Sequence, residues 1–130
     1  MTFFDAETMI EGLGYTIVKN DTHFDSHVGK TYSMNCYRNI DFYIIDLQID
    51  FRPETKNKEY QITTYLRKMD KKAIGCLELS TITEEEFTSK RIEQSIKDIE
   101  EFVKNHKFGI QIGELRFMTE DYKPETTYMN

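Results

Sequence analysis

The sequence predicts an α+β protein: an antiparallel β-meander of about five to six strands, a short N-terminal helix, and one long helix over about 84–105 packed on the sheet. Two observations carry the prediction. Tyr43, Ile45, Leu47, Ile49 and Phe51 alternate with Phe42, Ile44, Asp46, Gln48 and Asp50, the period of a half-buried strand. Ile92, Ile96, Ile99 and Val103 instead recur at helical spacing.

The long helix has a well-marked start. Thr83 is placed to cap it, and Glu86, three residues on, can reach back to the cap amide. Ile82 and Phe87 occupy the flanking positions of a hydrophobic staple. Glu86–Lys90, Glu93–Lys97 and Glu100–Lys104 then line the solvated side, each in the favourable Glu-before-Lys order.

Upstream, Phe3, Met9, Ile10 and Leu13 form one side of a helix from about Phe3 to Leu13, with Gly12 and Gly14 supplying the stop. Residues 15–18 read as a short strand, and 19–30 as a polar loop or irregular edge. Tyr32, Met34 and Cys36 alternate as a second strand, followed by a turn at 38–41. After the central strand, 53–58 break the pattern. Tyr60, Ile62, Thr64 and Leu66 make a fourth strand, a turn at 69–72 leads to a fifth over 73–79, and Phe108, Ile110 and Ile112 make a last one with a bulge at Gly113. Short connections make successive strands antiparallel neighbours. The 130 residues contain no repeat and no linker, so 1–117 is expected to be one domain and 118–130 an extended or loose tail.

Composition bounds the function. Seventeen basic residues against 23 acidic ones give a formal charge of −6, with no basic run to track a nucleic-acid backbone or an anionic membrane. That balance leaves a protein surface as the natural partner, and a homodimer is included in this expectation. No apolar run approaches a membrane span, and the N-terminus lacks the pattern of a signal peptide. Cys36 and Cys76 belong to no Cys-x-x-Cys pair and read as reduced thiols, which fits a cytoplasmic location. Ile, Lys, Asn, Tyr and Phe are favoured and Ala is nearly absent. This coding bias fits a low-GC bacterium, or a phage or mobile element living in one.

No motif announces a reaction. There is no nucleophile elbow, and Gly29-Lys30-Thr31 lacks the earlier glycine of a phosphate-binding loop. His23, Asp25 and His27 have ligand spacing for a divalent metal, but a fourth ligand is not apparent and a polar loop explains them as well. Asp46, Asp50 and Glu54 loosely echo the carboxylates of metal-dependent hydrolases and nucleases. No cofactor is called for.

The stronger candidates are aromatic and cationic. Tyr37, Arg38, Tyr65 and Arg67 fall on or beside the strand face not committed to the core, and Phe42 and Ile44 add apolar area at one end. The alternative is that a helix or the C-terminal tail covers this side and makes Phe42 and Ile44 a second small core. Tyr and Arg combine contact area with directional hydrogen bonds, which is why they dominate binding hot spots. The expectation is a small acidic protein-binding module, of the kind a phage or mobile element uses to modulate a host defence factor. A metal-dependent hydrolase built on the strand carboxylates is the alternative.

Overall fold

The computed structural model describes residues 1–68 and 73–105. Helix α1 (Phe3–Gly12) is followed by strands β1 (Thr16–Asp25), β2 (Gly29–Ile40), β3 (Tyr43–Arg52), β4 (Glu59–Lys68) and β5 (Ala73–Ile82), and then by helix α2 (Ser89–Asn105). The strands pair antiparallel in the order β1-β2-β3-β4-β5, and this is the expected α+β meander. The expected turn at 69–72, the strand through Phe108 and Ile112, and the tail from 118 lie outside the described residues.

Both helices lie on one face of the sheet. α1 starts with a capping box: the Asp5 N–H donates to Thr2 Oγ1 (3.1 Å), and the Thr2 N–H donates to Asp5 Oδ2 (3.2 Å). Its buried Phe3 lies within ring-contact distance of Tyr32 and Phe51. Register places Tyr32, Phe51 and Tyr60 directly opposite one another on three neighbouring strands. Phe87 then stacks on Tyr60 with ring centres 3.7 Å apart. Ile92, Ile96, Ile99 and Val103 of α2 join Ile45, Leu47 and Ile49 in a single core.

Helix α2 begins later than the spacing at Thr83 suggests. The box itself forms, with the Thr83 N–H on Glu86 Oε1 (3.0 Å) and the Glu86 N–H on Thr83 Oγ1 (3.4 Å), but it closes one isolated turn. A second start follows at Thr88, whose hydroxyl accepts from the Arg91 N–H (3.2 Å) and whose carbonyl accepts from Ile92 (3.1 Å). Helical phase explains the break. At about 100° per residue, Phe87 in an unbroken helix would point roughly 140° away from Ile92, out toward solvent. Interrupting the helix lets Phe87 and the isoleucine stripe face the same sheet.

The Glu-before-Lys pairs also dissolve at both ends. Glu86 turns back to Thr83, and Glu100 points inward, accepting from Tyr15 Oη (3.0 Å) and from Arg38 Nη1 (2.9 and 3.0 Å). Arg38 also donates to the Leu13 carbonyl at 3.2 Å. Burial, with the neighbouring Glu100 carboxylate, raises the Tyr15 phenol far above its ordinary value.

Residues 19–30 are not a loop. β1 continues to Asp25, and a turn at 26–28 leads into β2 at Gly29. The strand was hidden because nine of its ten residues are exposed, so no apolar face was needed and no alternation was written. Backbone pairing to β2 holds it, together with Ile17 against the core and the Asn20 amide donating to Glu7 of α1 (3.0 Å). The turn expected at 38–41 likewise narrows to Asp41 and Phe42, with Asp41 in the left-handed region at φ 54°.

Ile96 is buried between α2 and the sheet, so Ile96→Ala should cost about 2–5 kcal/mol in denaturant unfolding. Thr64 sits in the same core with its hydroxyl unpartnered. Thr64→Val should therefore move the same measurement the other way, by about 1 kcal/mol.

Candidate binding face

The sheet alternates, so the residues between the core positions form a second face that carries neither α1 nor α2. Its centre is a row of direct cross-strand neighbours: Thr16 on β1, Tyr37 on β2, Asp46 on β3, Tyr65 on β4 and Cys76 on β5. Asp46 thus lies between two tyrosines. Arg67, two residues beyond Tyr65, reaches back with Nε and Nη2 to grip both oxygens of that carboxylate, the Nη2 contact being 3.0 Å. The bidentate fork fixes the guanidinium in one orientation, and hydrogen bonding to Asp46 raises its pKa further.

These groups line a wide-mouthed depression of about 580 Å³ that also takes in Val18 and Gln48. Tyr65 is 47% exposed there. Leu79, opposite Thr63 on the same face, is 57% exposed. The result is an apolar and aromatic fringe around a fixed ion pair.

Of the residues singled out by sequence, Tyr37, Tyr65 and Arg67 come together. Arg38 does not join them, because it lies on the helix-bearing face, committed to Glu100 and Leu13. Phe42 sits in the β2–β3 turn, 81% exposed, and does not line the depression. Asp46 was the residue whose part was missed. Alternation marked it as polar-faced, but only strand register shows that it stands between the two tyrosines.

The three carboxylates of the hydrolase alternative are spread out and separately engaged. Asp46 holds Arg67. Asp50, largely buried, accepts from Ser33 Oγ (2.5 Å) and from Gln48 Nε2. Glu54 caps the Lys30 N–H at 3.1 Å. Asp46 and Asp50 are four residues apart on one strand, about 13 Å, too far to share an ion whose oxygen ligands lie about 2.0–2.6 Å from it.

In the histidine segment, His23 is on β1, Asp25 ends that strand, and His27 lies in the turn. The Asp25 carboxylate is taken up by the backbone, accepting from the His27 N–H (2.7 Å) and the Val28 N–H (3.2 Å). Among the described residues, no three His, Cys, Asp or Glu side chains are grouped to hold a metal ion. Burial pushes the Cys36 thiol up to about 12, which disfavours its reactive thiolate form.

No protein-family model, no curated protein and no solved structure matches this chain. Among the described residues, no helix is long and apolar enough to cross a membrane.

The hydrogen bond from the His27 N–H, followed by that from Val28, lowers the Asp25 pKa. A carboxylate with a lowered folded pKa adds stability above its unfolded value, and that stability is lost as pH falls through the folded value. NMR titration should therefore place the Asp25 carboxyl below an ordinary aspartate. Asp25→Asn should flatten the acid limb of the stability profile.

Proposed function

We propose that the chain is a small, acidic, non-catalytic protein-binding module whose sheet face opposite α1 and α2 docks a partner protein through Tyr37, Tyr65 and Arg67. The observation that carries this reading is the placement of both tyrosines beside a guanidinium already locked by Asp46. An immobilised Arg and rigid aromatic rings lose little conformational freedom on binding, so more of their contact energy survives as affinity. The depression is open rather than enclosed, which suits a protruding side chain or loop of a protein better than a sequestered small molecule.

The negative net charge favours a partner with a basic surface, chiefly by steering encounter. For the biological setting we propose a phage or mobile-element protein that modulates a host factor. That part rests on coding bias and size alone.

The test is capture of a partner from host lysate by immobilised protein, followed by affinity measurements on variants. Tyr37→Ala, Tyr65→Ala and Arg67→Ala should each weaken binding by about 2 kcal/mol or more while melting stays near wild type. Asp46→Asn should weaken it too, because the Arg67 fork loses its anchor. Glu54→Gln should be neutral, since an amide oxygen can still accept from Lys30. A metal-dependent turnover abolished by Glu54→Gln, with binding indifferent to the tyrosines, would replace the binding module with the hydrolase.

A further inference from the structure

Strand β1 ends the sheet on one side, with no strand beyond it among the described residues. Two hydrogen bonds show which of its backbone groups face outward. The Thr22 N–H donates to the Asp21 carboxylate (2.9 Å), a side chain of its own strand. The Lys30 N–H, opposite Phe24, donates toward Glu54 and away from β1. In an antiparallel pair these orientations alternate, so Asn20, Thr22 and Phe24 present the outward row at the edge.

The intervening residues alternate basic and acidic types. Lys19, Asp21, His23 and Asp25 all stand on the face opposite α1 and α2, paired with Asn35, Ser33, Thr31 and Gly29. Lys19 and Asp21 are exposed and 3.7 Å apart. The register shift of this strand falls between Ile17 and Lys19, so 19–25 is its regular stretch.

We propose that this edge is a homodimer contact, in which residues 19–25 pair antiparallel with the same residues of a second copy about a twofold axis at Thr22. In that register Lys19 of one copy faces Asp25 of the other, and Asp21 faces His23, each twice by symmetry. Thr22 faces its own copy, a favourable cross-strand pair, and Asn20 faces Phe24. Other registers are worse. Centring on Asp21 sets Asp21 against itself and Lys19 against His23. Centring on Asn20 brings the irregular Val18 into the ladder.

Charges on an edge strand ordinarily deter strand addition. Here their alternation rejects other registers and accepts one. The two sheets would become continuous, with both binding depressions on one broad face. This edge lies outside the group of Tyr37, Tyr65 and Arg67, so it stands or falls separately from the proposed function.

Sedimentation equilibrium across a concentration series should find a species of twice the 15.5 kDa chain mass. Thr22→Pro removes an outward N–H while sparing the pairing to β2, and should abolish the dimer without lowering the melting temperature. Asp21→Lys should weaken it about tenfold or more, since the Asp21–His23 contact is lost twice by symmetry and replaced by a mismatched pair. Adding His23→Asp to Asp21→Lys should restore it, because the opposed pair is then complementary again. A protein that is monomeric at all concentrations would overturn the proposal. So would a dimer that survives both Thr22→Pro and Asp21→Lys, since it would use another surface, or a dimer that the double variant fails to rescue.

Discussion

A row of aromatic rings running across one end of the sheet ties the helical layer to the strands. Tyr32, Phe51 and Tyr60 stand side by side on β2, β3 and β4; Phe3 meets the row from α1, and Phe87 meets it from the chain leading into α2. Pairs of this kind contribute about 0.5–1.5 kcal/mol each beyond the area they bury. The row also dictates local conformation. Burying Phe87 over Tyr60 is what divides the 83–86 turn from α2.

The opposite end of the sheet is secured by polar contacts. Glu100 of α2 draws in Tyr15, just before β1, and Arg38 of β2, and Arg38 in turn holds the Leu13 carbonyl at the end of the α1 segment. Helix α2 is thus pinned at its beginning by aromatic stacking and near its end by charge-assisted hydrogen bonds. With both helices fixed on that face, the other carries, among the described residues, polar strand side chains, the Asp46–Arg67 pair and two tyrosines. Among the described residues, a sheet face without helices and a first strand with no strand beyond it are therefore two consequences of the same architecture, and they supply the two surfaces argued for above.

Much of this was legible in the sequence. The order of elements, the core alternation of β3 and the isoleucine stripe of α2 are periodic signals, and periodicity reflects burial directly. Elements that bury nothing leave no such trace. The outer half of β1 looked like a loop because an exposed edge strand needs only backbone partners. The 83–86 box looked like the start of α2 because four residues suffice to form it, whether or not a helix follows. Tyr37, Tyr65 and Arg67 could be nominated by residue type and strand parity, whereas Arg38 could not be told from them until Ile40 and Arg38 proved to continue β2 on the core side.

The sequence by itself determined an α+β meander with an alternating sheet and an amphipathic helix, since each follows from the local spacing of apolar residues. Tertiary structure decided which side chains meet across strands: Asp46 between its tyrosines, Glu100 beneath Arg38, Phe87 on Tyr60. Those meetings depend on register and on where a helix is broken. Both are set by contacts between residues far apart in the chain, and no local pattern records them.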